Sequence, residues 1–302
     1  MFYQKSLLED CSLHNKKMAD VRVGVIGCGA IGSVICKAID TDEVSGRELK
    51  LGMELRVLID KHPERIEELC KSLRRKPDII KSDATGLDEI LDEVDLVIEC
   101  ASAAAVREFI IPALNKGKDV MILSVGALLC DPTLFEEVER ISREKRCKVY
   151  IPSGAVAGID GLKSGVIGGM HSVALTTRKP PLGFEGNEYV RERGIDLHSI
   201  KREKTLFIGS AREAVNHFPE NVNVAASISL AGIGPKATKV KIVADPVATE
   251  NIHEIEAKGE FGKLFVRVEN VPSAANPKTS YLAALSAIAT LKRISYPIRV
   301  GT

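Results

Sequence analysis

The sequence predicts an α/β chain in which a doubly wound parallel sheet is followed by a second, α+β domain. Three observations lead there. From residue 21 to residue 152, short runs rich in Val, Ile and Leu alternate with helical stretches, the pattern of strands covered on both faces by crossover helices. A glycine-rich turn, Gly27-Cys28-Gly29-Ala30-Ile31-Gly32, joins the first run to the first helix. Beyond residue 153 several runs alternate polar with apolar, which suits a sheet with one wet face.

The elements follow in order. Residues 21–27 form the first strand and 33–39 continue the helix that the turn opens. The polar stretch 40–50 reads as a loop, and 54–60 as the second strand, ending on Asp60. Pro63 opens a helix running to about residue 74. Helices over 87–93 and 103–116 alternate with strands over 95–100 and 119–124. Asp131 caps a helix with Pro132 at its first position, and 148–152 closes the series as a strand. In the second half, 172–178, 204–209, 238–244, 251–257 and 263–268 read as strands. Ser210 and Glu213 spell a capping box, residues 259–262 a hairpin turn, and 281–291 an Ala-rich helix.

Composition narrows the function classes. The chain has 302 residues, 45% of them hydrophobic, enough for two packed domains. Lys and Arg total 42 against 41 Asp and Glu, so no net field recruits nucleic acid or an anionic membrane. With no Trp and 4% aromatics, base-stacking platforms are not expected either. Seven cysteines without a CxxC pair read as reduced thiols, not as a disulfide frame or a metal site. No run approaches the ~18 apolar residues of a membrane span. Charges flank the short apolar patch near the start, so the N-terminus is not a secretory signal. Residues 1–17 read as an extension outside the fold, and the expected location is the cytoplasm.

The glycine turn carries the first functional signal. A GxGxxG alone is weak, but here a strand precedes it and a helix follows, the context that gives it a mechanism. Gly27 permits the tight turn, Gly29 admits a pyrophosphate to the backbone, and Gly32 lets helix and strand pack closely. Ala30 and Ile31 sit in the helix's first turn, where backbone N–H groups face the phosphates. This is a Rossmann-type dinucleotide site, and Asp60 at the end of the second strand suits the adenosine ribose hydroxyls. It follows Gly32 by 28 residues, later than the usual ~20, because of the polar loop after residue 40. An acid there favours NAD over NADP, while the adjacent Lys61 and His62 keep NADP open. Ala101-Ser102 and Val125-Gly126-Ala127 follow later strands and are expected to border the nicotinamide half.

The reacting end needs a proton-exchanging group, and histidine suits it. Of six histidines, His253 stands apart: period-two alternation puts it on the face of Ile255 and Ala257, opposite Glu254 and Glu256. A hydrogen-bonded core histidine fits that pattern as well as a catalytic one does.

Seven motifs carry a resemblance: GCGAIG at 27–32, LSVGA at 123–127, YIPSGA at 150–155, LTTRK at 175–179, FPENVNVAA at 218–226, ENIH at 250–253 and NPKTSYLAAL at 276–285. From about residue 21 to 293 the chain resembles the archaeal and bacterial L-aspartate dehydrogenases. The resemblance implies that His253 is catalytic and that Ala155 and Asn223 contact the cofactor. It implies oxidative deamination of L-aspartate to oxaloacetate and ammonia through iminoaspartate, with NAD or NADP as cofactor and His253 as general base for the attacking water. It also implies a homodimer and a possible feed into NAD synthesis. Two substrate carboxylates call for cations, and Arg178 and Lys278 are the candidates, with Asn251 beside His253. The domains expected are an extension over 1–19, a dinucleotide-binding domain over 20–153 completed by 274–302, and a substrate domain over 154–273. Departures from the family pattern are the extension, the loop at 40–52 and a longer segment at 180–202. Two other readings stay open: an oxidoreductase of homoserine dehydrogenase or dihydrodipicolinate reductase type, and a non-catalytic NAD-binding sensor, in which His253 is bonded away from the nicotinamide.

Overall fold

In the computed structural model, residues 21–218, 222–273 and 276–301 are described, the side chains of Pro277 and Lys278 excepted. The extension at 1–19 lies outside them. The first half builds six parallel strands: β1 Val21–Ile26, β2 Met53–Ile59, β3 Ile79–Lys81, β4 Leu96–Glu99, β5 Asp119–Ile122 and β6 Val149–Tyr150. Their order is β3-β2-β1-β4-β5-β6, so the winding reverses between β1 and β4. The carboxyl ends of those two strands therefore open a crevice. Apolar clusters cover both faces of this sheet. One of them includes Ala287, Ile288 and Leu291 of the final helix, Tyr281–Ser295, which returns to pack beside the helix Ala30–Thr41.

The second sheet has five strands: β7 Met170–Lys179, β8 Lys204–Ser210, β9 Lys239–Ala244, β10 Asn251–Gly259 and β11 Gly262–Asn270. The order is β8-β9-β7-β10-β11, with β9 and β7 parallel and the other pairs antiparallel. Its inner face holds Leu175, Val240, Ile242, Ile255 and Ala257 against the helices Ala211–His217 and Val222–Ala231. The outer face carries ion pairs, among them Arg178 with Glu254 and Arg267 with Glu254.

Local signals were realised at several points. Asp131 accepts from the backbone N–H groups of Thr133 and Leu134 ahead of Pro132, and the Ser210–Glu213 capping box is complete. Other elements differ from expectation. The short strand β3 was hidden, because three residues at a sheet edge carry little periodicity. The helices Ile159–Ile167 and Val222–Ala231 were also missed, one rich in glycine and the other apolar around most of its surface. The helix expected over 103–116 contains a π-turn, Val106–Ile110, just before Pro112. Proline lacks the N–H that would bond the carbonyl four residues back, and a widened turn relieves the clash. The segment 180–202 packs Phe184 and Val190 into the core of the second sheet. No described helix is long and apolar enough to cross a membrane.

Candidate active site

The glycine turn has the shape a dinucleotide requires. Gly27 has φ +102, and a side chain there would meet the Cys100 carbonyl at 2.8 Å. One on Gly32 would lie 1.9 Å from the Gly27 carbonyl oxygen, so helix and strand touch through bare backbone. At Gly29, by contrast, an added Cβ meets nothing within 4 Å. That open space faces the start of the helix Ala30–Thr41, which no side chain caps and whose first turn holds no acid. Its orphan N–H groups and the positive end of its dipole suit a pyrophosphate. These residues fit a dinucleotide.

Asp60 follows β2 and lies beside this turn, buried. Its Oδ2 accepts from the Cys28 N–H at 2.6 Å and its Oδ1 from the His62 N–H at 2.9 Å. The carboxylate thus holds the turn from the end of β2. Burial, followed by the Asp60 carboxylate, pushes the Cys28 thiol up to about 12, so it stays protonated.

Ala101 and Ser102 lie at the end of β4, and their amides are held by a residue that sequence reasoning passed over. Glu99 is wholly buried, yet it receives the N–H groups of Ala101, Ser102 and Ser124 and the Ser124 hydroxyl, at 2.8–3.0 Å. One carboxylate fastens the turns after β4 and β5 together. Burial holds its pKa above the usual carboxylate range in spite of these four bonds.

Between the two sheets lies a cavity lined by Ile31, Ala155, Asn223, Asn251 and His253, with Lys179, Thr279 and Ser280. It collects five of the residues nominated from sequence. Asn223 reaches it from the helix Val222–Ala231, its Oδ1 accepting the Gly126 N–H at 2.9 Å. That bond fixes the orientation of the amide. Ala155 is held through its carbonyl, which accepts from Asn270 Nδ2 at 3.1 Å; Asn270 also bonds the Asn251 carbonyl and the Ser280 hydroxyl. Buried Asn270 thus joins the Ser153–Ala155 turn, β10 and the entry to the last helix.

His253 sits on β10 with 4% of its surface exposed. Its Nδ1 lies 3.0 Å from Thr177 Oγ1. Burial first, then the Lys179 ammonium, lowers its pKa to about 3, so the ring is neutral near pH 7. The other described histidines lie elsewhere: His62 pairs with Glu64, His171 with Glu260, His198 sits in a surface turn, and His217 stacks on Tyr189.

Arg178 is not brought to the cavity. It points to the outer face of the second sheet, bonding Glu254 at 3.0 Å and pairing with Glu203. Strand parity explains this: Thr177 and Lys179 share the face of Val173 and Leu175, and Arg178 lies between them on the other side. Lys179, 6% exposed, supplies the cation that does line the cavity. The same alternation that singled out His253 would have found it. The Lys278 side chain lies outside the described residues.

Comparison with known proteins gives this site its context. Residues 160–294 match the family model described as aspartate dehydrogenase, C-terminal, and residues 27–152 that of the homoserine dehydrogenase NAD binding domain. The L-aspartate dehydrogenase of Methanosarcina barkeri is 50% identical over 282 residues, covering 93% of this chain and 100% of that protein. That of Methanosarcina acetivorans is 52% identical over 284 residues, with the same coverage. The chain belongs to the L-aspartate dehydrogenase family. The crystal structure of the aspartate dehydrogenase from Thermotoga maritima superposes with a TM-score of 0.69 at 27% identity, covering 93% of this chain and 99% of that one. A homoserine dehydrogenase from Thiobacillus denitrificans shares the fold, with a TM-score of 0.58 at 13% identity over 91% of this chain and 74% of that one. The family models separate the two groups through the second half: the model over residues 27–152 is described for homoserine dehydrogenase, whereas the one over the half carrying His253 is that of the aspartate dehydrogenases.

Proposed function

We propose that this protein is an NAD(P)-dependent L-aspartate dehydrogenase, converting L-aspartate and water to oxaloacetate and ammonia. One observation carries the reading: neutral His253 and cationic Lys179 line the same cavity as Ile31, which belongs to the helix opened by the dinucleotide turn. The names of the relatives point the same way.

The cofactor, when bound, supplies the acceptor for the hydride that leaves the substrate α-carbon. This chain's residues do the rest. Lys179 pairs with a substrate carboxylate, and Asn251 stands beside His253 on β10 to orient the molecule. The resulting imine takes up water, and His253 exchanges a proton with that oxygen as ammonia leaves. Its low pKa keeps the ring neutral, the form able to act as a base or a hydrogen-bond donor near pH 7. Gly27, Gly29, Gly32 and Asp60 bind the adenosine half, and Ala155 and Asn223 face the nicotinamide half. The resemblance also supports a homodimer, and iminoaspartate passed on toward NAD synthesis.

Absorbance of the reduced cofactor, followed with purified protein, tests the reading. Aspartate should drive reduction and oxaloacetate plus ammonia should drive oxidation. Turnover of homoserine with none of aspartate would move the protein to the homoserine dehydrogenase type. Cofactor binding without turnover of either would favour the sensor.

A further inference from the structure

The register of β7 against β10 sets Thr177 directly opposite His253, both on the covered face. Thr177 is wholly buried, and its Oγ1 lies 3.0 Å from His253 Nδ1. A neutral imidazole carries one hydrogen, on Nδ1 or on Nε2, while a hydroxyl can donate or accept. Geometry alone therefore leaves two arrangements.

Counting hydrogen bonds separates them. Among the described residues, Thr177 Oγ1 makes its only side-chain hydrogen bond to this ring nitrogen. If Thr177 accepted from an Nδ1–H, its own hydroxyl hydrogen would be buried with no acceptor, an arrangement folded proteins avoid. If it donates to the bare Nδ1, the hydroxyl hydrogen and the nitrogen lone pair are both satisfied. The ring hydrogen then sits on Nε2, the nitrogen left for the cavity.

We propose that Thr177 is a positioning residue that fixes His253 as its Nε2–H tautomer, so that the resting enzyme presents a neutral N–H donor to the substrate. The inference rests on the reading of His253 as the proton-exchanging group and specifies its starting state. Such a donor meets the keto oxygen of the oxo acid in the aminating direction. It stabilises negative charge developing on that oxygen without first having to ionise the ring. A carboxylate opposite Nδ1 would instead hold the hydrogen on Nδ1 and favour the imidazolium. A hydroxyl does neither.

Long-range proton–nitrogen NMR of the full chain, labelled with ring-15N histidine, reads the tautomer directly. His253 is assigned by the resonances lost in His253→Gln. The proposal requires a protonated-type Nε2 and an unprotonated-type Nδ1 in the wild type at pH 7; the reverse pattern overturns it. In Thr177→Val, which keeps the shape and removes the hydroxyl, the nitrogen shifts should move toward an average of the two tautomers. Aminating kcat should fall roughly tenfold, as for one lost positioning hydrogen bond, with cofactor KM held and Thr177→Ser restoring the rate. Wild-type shifts and kcat in a folded Thr177→Val also overturn it. If that variant does not fold, the wild-type spectrum decides by itself. Full turnover in His253→Gln would remove the functional reading instead, and leaves the tautomer to be judged on the spectrum.

Discussion

Asp60 reaches back across the first strand–helix crossover to hold the backbone N–H of Cys28 at 2.6 Å. The residue proposed to meet the adenosine ribose is therefore also a strut of the glycine turn. Its second oxygen is spent in part on His62, which locks the turn after β2.

The dual role sets what Asp60→Ser should do. Removing the carboxylate takes away the repulsion of a 2′-phosphate and moves the preference toward NADP. It also orphans a buried N–H, at a cost of about 1–3 kcal/mol. The ratio of kcat/KM for the two cofactors and a thermal melt on the same preparation report both effects. An unchanged ratio would assign the preference to Lys61 or His62.

His253→Gln should lower turnover about 10²–10⁴-fold, the usual contribution of a positioned proton-exchanging group. NADH affinity should hold, because the turn at Gly27–Gly32 and Asp60 lie at the other end of the dinucleotide. Unchanged turnover in well-folded protein would return His253 to the role of a core residue.

The same histidine makes stability depend on pH. Unfolded, it takes a proton below about 6.5, while in the fold it stays neutral until about 3. Between those values the unfolded chain binds more protons, so stability rises with pH. This contribution is complete above about 6.5 and is lost as pH falls toward 3, at up to about 1.4 kcal/mol per pH unit. Urea unfolding at pH 7 and pH 5 should show a smaller difference in His253→Gln than in the wild type. Equal differences would mean that the ring titrates alike in the folded and the unfolded chain.

Lys179 and Arg178 are neighbours that should respond oppositely. Lys179→Met removes a cation from the cavity, and KM for aspartate should rise roughly tenfold or more. Arg178→Met takes one cation from Glu254 and Glu203 on the other face, leaving Arg267 and Lys241 as their partners, so stability should fall modestly while KM holds. Measuring KM and Tm for both variants checks the assignment, and a KM effect confined to Arg178 would reverse it.

Glu99→Ala should loosen the turns after β4 and β5 at once, because three backbone amides lose their acceptor. The expected result is a higher KM for the cofactor and a loss of about 1–3 kcal/mol in stability. Cofactor KM at the wild-type value would show that the turns hold their shape unaided.

By itself the sequence determined the doubly wound α/β plan, the dinucleotide turn and the face of His253. These depend on local rules: Gly27 and Gly32 sit where a side chain would strike backbone, and the alternation over 251–257 sorts a strand's faces without reference to any partner. The helices Ile159–Ile167 and Val222–Ala231 were illegible because glycines in one and an all-round apolar surface in the other erase the helical period. Only the tertiary structure decided what holds His253 and what Glu99 does. Thr177 faces His253, 76 residues away in sequence, through the register of two strands. Glu99 joins turns that belong to different crossovers. Such pairings are set by long-range packing, which leaves no periodicity at either residue for the sequence to show.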